Sequence, residues 1–213
     1  MSTESEQIVR IPADGVELEG ALVVPDGAPG LVAFAHGSGS SRHSPRNNFV
    51  AEVLQEHGLG TLLFDLLTEA EDVDRATRFD IDLLTERLLA ATAWLRGRED
   101  VGDLNLGYFG SSTGAAAALR AAAAEPDVGA VVSRGGRVDM ASESLADVDA
   151  AALFVVGGAD HQVLELNREA YDVLTCEKAL HVVEDAGHLF EGPGQLEEVA
   201  DVAADWFAEH LAE

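Results

Sequence analysis

The stretch GYFGSSTGAAAALRAAAA, residues 107–124, decides the fold. An apolar run over residues 104–109 leads into the glycine-flanked segment GSSTG at 110–114, and alanines with high helix propensity follow at once. The sequence therefore predicts a strand, a tight turn and a helix in direct succession. A GxSxG pattern in that context describes a sharp turn that lifts the central side chain, Ser112, clear of the sheet. Glycines flank the turn because side chains there would clash.

Short apolar runs separated by helical periodicity continue on both sides of this stretch, which is typical of parallel βαβ units. Before them, two runs joined by Asp14-Gly15 predict an antiparallel strand pair. We expect an α/β fold in one domain over residues 1–213, with a doubly wound, mostly parallel sheet and helices on both faces. The predicted strands are 8–11, 16–24, 31–35, 61–64, 104–109, 128–132, 152–156 and 179–183, and the predicted helices are 48–56, 80–96, 114–124, 164–174 and 196–211.

Three residues with complementary chemistry follow three of the predicted parallel strands. Ser112 follows the strand at 104–109, Asp160 ends VVGGAD (155–160), and His188 lies in AGHLF (186–190). Ligands of such sheets bind outside the carboxyl ends of the strands, so the three are expected at one rim. A serine hydroxyl becomes a good nucleophile when a histidine takes its proton and a carboxylate orients that histidine. The order Ser, Asp, His is that of α/β-hydrolases.

Alternatives remain for each of these residues. Ser111 is a weaker nucleophile candidate because the motif centres on its neighbour, and Cys176 lies in no catalytic motif. Asp160 is also placed to cap the helix that follows it. His188 competes with six other histidines, of which His161 directly follows the aspartate.

A glycine-rich loop, HGSGSS at residues 36–41, follows the strand at 31–35. Acyl transfer places negative charge on the substrate oxygen, and fixed backbone amides stabilise that charge. We assign one such amide to Thr113, the residue after the nucleophile, and the other to Ser38, with Gly39 as the second choice. A phosphate-binding loop is disfavoured because no Walker lysine follows and GxGxxG is incomplete.

Four of the chain's 13 basic residues are expected on rim loops: Arg42, Arg46, Arg134 and Arg137. One interpretation is that some of them pair with a carboxylate or phosphate of the substrate. The other is that they tie the loops to neighbouring acidic side chains. The sequence leaves both open.

The chain resembles the dienelactone hydrolase-like branch of the α/β-hydrolases, and within it small members without a lid. The matching segments are HGSGSSRHSPRN (36–47), TLLFDLLT (61–68), GYFGSSTGAAAAL (107–119), SRGGRVD (133–139), VVGGAD (155–160) and AGHLFEGPG (186–194). The resemblance implies an esterase-like site on Ser112, Asp160 and His188, without cofactor or metal. Serine stands where dienelactone hydrolases proper carry cysteine, so the lactone substrate does not transfer with the fold.

Three functions fit this pattern. The first is hydrolysis of a carboxylic ester, lactone or thioester through an acyl-enzyme on Ser112. The second is acyltransferase or perhydrolase chemistry on the same triad, and the third is a non-catalytic binding module that retains the fold. The short segment from 135 to 150, where larger relatives insert a lid, predicts an open site for a small acyl substrate.

Composition excludes several other classes of function. The net charge is −26, from 39 acidic and 13 basic residues. Nucleic acids and anionic membranes need clustered positive charge, so neither is an expected partner. No apolar run approaches the roughly 20 residues of a membrane span, and the start MSTESEQIVR lacks the pattern of an export signal. One cysteine precludes an internal disulfide. A cytoplasmic location is expected; the oligomeric state is not indicated.

The acid excess, with Lys178 as the single lysine, predicts adaptation to high salt, and the alternative is an ordinary acidic protein. At about 1 M salt the Debye length falls to about 3 Å, which screens the repulsion among surface carboxylates. The melting temperature should therefore rise between dilute buffer and molar KCl, as measured by circular dichroism. An unchanged or falling melting temperature would contradict salt adaptation.

Overall fold

The computed structural model describes residues 5–212, and the elements defined in that range form a single eight-stranded sheet flanked by helices. The strand order is β1-β2-β4-β3-β5-β6-β7-β8. In chain order the elements are β1 (Gln7–Ala13), β2 (Val16–Val23), β3 (Gly30–Ala35), α1 (Pro45–Glu56), β4 (Gly60–Phe64), α2 (Arg75–Arg78), α3 (Ile81–Arg96), β5 (Asn105–Ser111), α4 (Thr113–Ala124), β6 (Val128–Arg134), β7 (Ala151–Gly157), α5 (His161–Val173), β8 (Lys178–Val183) and α6 (Gln195–His210).

Strand directions confirm the mostly parallel sheet. β1 and β2 form the expected antiparallel pair, and β2 pairs antiparallel with β4. The six strands from β4 to β8 in sheet order are parallel to one another. Their carboxyl ends therefore share one edge, and the loops after β3, β5, β6, β7 and β8 meet there.

Helices cover both faces of the sheet, as predicted, and each face has its own core. On one face α3, α4 and α5 pack over buried residues that include Leu88, Leu119 and Phe154. On the other face α1 and α6 pack over a second core that includes Phe34, Phe109 and Phe207. Because α4 presents a run of buried alanines, its backbone can approach the sheet closely.

The segment between β6 and β7 is short and packs on the helical layer. It contains two 3-10 turns, Val138–Ala141 and Leu145–Asp147, whose apolar side chains are buried against the core under α4. Within the described residues no inserted lid covers the carboxyl edge of the sheet. The expectation of a fold without a lid is confirmed.

Element boundaries depart from the sequence prediction in places that bear on the site. Helix α1 begins at Pro45 rather than at residue 48, since Ser44 caps its first turn and proline suits the first helical position. Strand β5 extends to Ser111, and β6 extends to Arg134. Both extensions bring ordered backbone to the edge where the candidate residues lie. The four-residue helix α2 was not predicted.

None of the described helices is long and apolar enough to cross a bilayer.

Candidate active site

Ser112 occupies a strained turn between β5 and α4. Its φ of 50° and ψ of −119° lie in a region that non-glycine residues rarely adopt. A Cβ at Gly110 would lie 2.4 Å from the Ala115 Cα, and one at Gly114 would lie 2.1 Å from the Ala35 carbonyl oxygen. The two glycines are therefore required by the close passage of α4 against the sheet. Backbone strain maintained by such packing is a common property of functional sites.

Asp160 and His188 form a hydrogen-bonded pair. The Nδ1 of His188 lies 2.7 Å from Oδ2 of Asp160. Asp160 stands at the N-cap position of α5, yet its side chain makes no capping hydrogen bond. The carboxylate therefore serves the imidazole rather than the helix, which answers one alternative that the sequence left open. With Nδ1 as the donor, Nε2 of His188 is left unprotonated and able to accept a proton.

Backbone contacts between two loops bring this pair together. Gly158 N–H donates to the Val183 carbonyl at 2.8 Å, and Ala159 N–H donates to the Ala186 carbonyl at 2.9 Å. A Cβ at Gly157 would lie 2.2 Å from the Ala186 oxygen, so only glycine permits this approach. The loops after β7 and β8 are thus joined one residue before Asp160 and two before His188.

The dipeptide Arg134-Gly135 at the end of β6 lies close to both Ser112 and His188. The Ser112 N–H donates to the Arg134 carbonyl at 3.1 Å. A Cβ on the next residue, Gly135, would lie 3.3 Å from both Cε1 and Nδ1 of His188. Among the described residues Ser112 Oγ makes no hydrogen bond to the imidazole. Catalytic hydrogen bonds are often long before a substrate binds.

The glycine-rich loop after β3 lies against the nucleophile. A Cβ at Gly37 would be 3.3 Å from the Cβ of Ser112. The N–H of Ser38, one predicted oxyanion donor, donates to Oγ1 of Thr113 at 2.9 Å. Thr113 opens α4, and amides of a first helical turn have no partner within the helix. Gly39, the second choice, has a φ of +73°, a backbone conformation that favours glycine. The Thr113 amide therefore lies next to Ser112, whereas the Ser38 amide is occupied by the Thr113 hydroxyl in this structure.

The buried side chain of His36 links the glycine-rich loop to the segment that follows β4. Its Nδ1 lies 2.9 Å from the Gly37 carbonyl, and its Nε2 accepts the Leu66 N–H at 3.0 Å. Both contacts are made together only by the neutral ring with its proton on Nδ1. Burial lowers the pKa of His36 below its ordinary value of 6.5, which preserves that neutral form at neutral pH.

Three of the four rim arginines are tied to acidic side chains. Arg42 pairs with Glu19 and Asp65, and Arg137 pairs with Asp139. Arg46 contacts Glu191 and also donates to the Leu189 carbonyl. Their geometry supports loop anchoring, which was the second of the two interpretations. Arg134 differs from them, since it is buried and forms no ion pair with a carboxylate of residues 5–212.

A cleft of about 700 Å³ borders the opposite side of the glycine-rich loop. It lies between that loop and the segment after β4, and neither Ser112 nor His188 lines it. Its lining includes Arg42 together with five carboxylates: Glu17, Glu19, Asp65, Glu69 and Asp72. The local charge of this cleft is therefore negative. Across the described chain, no group of three or more His, Cys, Asp or Glu side chains is arranged to hold a metal ion.

Sequence reasoning missed the polar residue that links the nucleophile turn to α1. Asn47, which is almost fully buried, accepts a hydrogen bond from Ser111 Oγ at 2.9 Å. The same Oδ1 lies 3.4 Å from Nη2 of Arg134. Only the Ser-Pro helix start at 44–45 could have placed Asn47 in a first helical turn, and nothing in the sequence pointed to its partners.

Comparison with known proteins gives a consistent family. The family model described as the dienelactone hydrolase family matches residues 20–211. A dienelactone hydrolase from Anabaena variabilis, solved by crystallography, is 52% identical. The alignment covers 97% of this chain and 98% of that one, with a TM-score of 0.95. The match therefore includes every element that carries the site.

Two further relatives mark the limits of the comparison. A Mycobacterium tuberculosis protein named as a candidate phosphoribosyl transferase is 54% identical over 208 residues, which are 97% of this chain but 47% of that protein. The chain thus spans about half the length of the curated relatives it matches. Est1E from Butyrivibrio proteoclasticus shares the fold at 17% identity, with a TM-score of 0.83 over 97% of this chain and 99% of that one.

The neutral His36 predicts a pH dependence of stability. Its folded-state pKa is lowered, so the unfolded chain binds the proton first as the pH falls below about 6.5. The stabilisation is complete above that pH and is lost below it, by at most about 1.4 kcal/mol per pH unit. Urea unfolding of the wild type between pH 7.5 and 5 should therefore show a steeper loss of stability than His36→Gln. Parallel profiles would contradict the assignment.

Proposed function

Because the chain belongs to the dienelactone hydrolase family, we propose that it is a hydrolase of the carboxylic-ester type that works through an acyl-enzyme on Ser112. In this proposal His188 is the general base and Asp160 orients it. Substrates are small esters, lactones or thioesters. The backbone amides of Thr113 and Ser38 stabilise the tetrahedral intermediate, and the Ser38 N–H exchanges Oγ1 of Thr113 for the substrate oxygen when the substrate binds.

The observation that carries the proposal is the His188–Asp160 hydrogen bond of 2.7 Å, together with a serine in a strained turn. The two are linked through the end of β6, where the Arg134 carbonyl accepts the Ser112 N–H and a Cβ at Gly135 would lie 3.3 Å from the His188 ring. An aspartate that gives up helix capping to bind an imidazole is explained by a need for a fixed tautomer and ring orientation. That orientation leaves Nε2 as the proton acceptor. A binding module would need neither feature.

The reaction follows from these positions. As Ser112 Oγ attacks the substrate carbonyl carbon, its proton passes to Nε2 of His188, and Asp160 stabilises the imidazolium that forms. Negative charge develops on the carbonyl oxygen, which receives the Ser38 and Thr113 amides. The imidazolium then protonates the leaving alkoxide or thiolate. Water, deprotonated by the same ring, attacks the acyl-enzyme and regenerates the serine.

Exposure of the base favours water as the acceptor. The His188 side chain is 40% exposed, and no described segment encloses it. Transferases that protect an acyl-enzyme from hydrolysis need to exclude water from it. Hydrolysis is therefore preferred over acyl transfer or perhydrolysis on the same triad.

The transferase name of the Mycobacterium tuberculosis relative describes a protein about twice as long as the part aligned here. The residues that would carry chemistry in the aligned part are those of an ester hydrolase. We therefore assign no transferase activity to this chain.

Labelling with a fluorophosphonate tests the nucleophile. The folded protein should form one adduct, located on Ser112 by peptide mass spectrometry, because the base activates that hydroxyl alone. Ser112→Ala should abolish labelling, and Ser111→Ala, a matched change one residue away, should retain it. An adduct on Ser111 or Cys176, or none on the folded wild type, would refute the assignment.

Asp160→Asn tests the orienting role. The amide keeps the size of the carboxylate but presents a donor to the imidazole and favours the wrong tautomer, so kcat for an activated ester should fall by about 10³- to 10⁴-fold. KM should change little because the aspartate does not contact substrate. Asp185→Asn, on the neighbouring loop, is the control. A loss of less than tenfold would argue against a triad.

A further inference from the structure

Arg134 is a buried cation without a counter-ion. Its side chain extends from the last residue of β6, and the residue is 8% exposed. Within the part of the chain that the structure describes, Nε and Nη1 have no hydrogen-bond partner, and Nη2 has the 3.4 Å contact with Asn47 alone. Among the described residues no carboxylate forms an ion pair with it. Burial, with the charge of Arg46 as a smaller cause, lowers the pKa of Arg134 to about 10, so the group is still charged at neutral pH.

This isolation contrasts with the rest of the molecule. Of the 12 arginines, nine lie within 4 Å of an acidic side chain. Arg96 donates to two backbone carbonyls, and Arg75 lies over the Phe79 ring. In a chain with 39 acidic residues, partners for a guanidinium are abundant. A buried charge that is left unpaired destabilises the folded protein. The presence of an unpaired Arg134 therefore calls for a function that offsets this cost.

The groups that act directly on Arg134 are neutral or positive, namely the Asn47 amide, the start of α1 and the charge of Arg46. Asn47, which shares its Oδ1 with Ser111, lies in the first turn of α1. That turn contains no acidic residue, and the N-terminus of a helix carries partial positive charge. Arg46 from the same turn is close enough for its charge to act on Arg134. The Arg134 guanidinium therefore lies near a helix N-terminus and within the influence of the Arg46 charge, although Arg46 is itself paired with Glu191.

We propose that Arg134, together with Arg46 and the N-terminus of α1, forms a binding site for an oxyanion group, a carboxylate or a phosphate, carried by the substrate. The guanidinium fork suits such groups because it donates two parallel hydrogen bonds to them. An anion bound at this site would act as the counter-ion of Arg134. The acidic 700 Å³ cleft on the other side of the glycine-rich loop repels the same group.

The site adjoins the reacting centre. The guanidinium shares Oδ1 of Asn47 with Ser111, the residue before the nucleophile. The carbonyl of Arg134 accepts the Ser112 N–H, and a Cβ at Gly135 would lie 3.3 Å from the His188 ring. An anionic group held by the guanidinium would thus fix the ester relative to the nucleophile. This use in substrate recognition rests on the proposed ester hydrolysis, whereas binding of a free oxyanion does not.

Thermal unfolding with inorganic phosphate tests the binding. At constant ionic strength in KCl, phosphate should raise the melting temperature of the wild type along a saturable curve. Arg134→Met removes the guanidinium and should abolish the saturable part, while leaving the ligand-free protein as stable as the wild type or more so. Arg98→Gln, an equal charge change at the opposite edge of the sheet, should retain it. Glutarate in place of phosphate shows which oxyanion binds more tightly.

A matched pair of esters tests the role in recognition. The ratio of kcat/KM for mono-p-nitrophenyl glutarate to that for neutral p-nitrophenyl pentanoate should fall about 10- to 100-fold in Arg134→Met, the range of a charged hydrogen bond. Arg98→Gln should leave the ratio unchanged, and Arg134→Lys should lower it less. Phosphate should inhibit the wild type competitively against the glutarate ester.

The outcomes separate the two proposals. An unchanged ester ratio in Arg134→Met, or phosphate curves identical in that variant and the wild type, overturns the oxyanion site even if fluorophosphonate still labels Ser112. Should Arg134→Met not fold, the wild type alone remains decisive: phosphate that neither stabilises it saturably nor competes with the glutarate ester overturns the site. Failure of fluorophosphonate to label Ser112 refutes the acyl-enzyme. The phosphate titration still reports on the oxyanion site in that case, because it does not depend on catalysis.

Discussion

The close approach of α4 to the sheet is the constraint on which the rest of the site depends. Gly110 and Gly114 have no room for a side chain, and the alanines that follow keep the helix backbone near β3 and β5. This packing forces the intervening Ser112 into its strained conformation and aims the first amides of the helix toward it. The two hydrophobic cores, one on each face of the sheet, stabilise the fold enough to maintain this strained conformation. The geometry of the nucleophile is thus a consequence of helix-to-sheet distance.

Charge organises the rim in a second way. With a net charge of −26, the chain uses its few cations where they anchor loops, as Arg42 does between Glu19 and Asp65. These pairs are partly exposed, and each contributes modestly to stability. Their value lies in fixing the loops around Ser112 and His188. In strong salt such contacts weaken, while screening of the far more numerous carboxylates favours the compact state. Arg134 differs from these arginines because it is buried. Salt therefore screens its charge much less than it screens the exposed pairs and carboxylates.

The sequence predicted the parts of the molecule that local patterns encode. Contiguous motifs encode the strand, turn and helix at 104–124, and they also give the chain order of Ser112, Asp160 and His188. The fold that these motifs predict is confirmed. Contacts between distant segments are not written there. Nothing local in His36 indicates that its ring accepts the Leu66 amide, and nothing local in Arg134 indicates that two of its nitrogens are buried without a hydrogen-bond partner among residues 5–212. Such features depend on the register of neighbouring strands and on loop approach, which emerge only from the assembled structure.

Covalent capture of the acyl group tests the central account most directly. The wild type turning over an activated ester in high salt is quenched in acid, and its peptides are analysed by mass spectrometry. The account predicts that the acyl mass lies on the peptide that contains Ser112, at an occupancy that rises to a steady state. Turnover with no acylated peptide, or with the acyl group on Cys176, would contradict it.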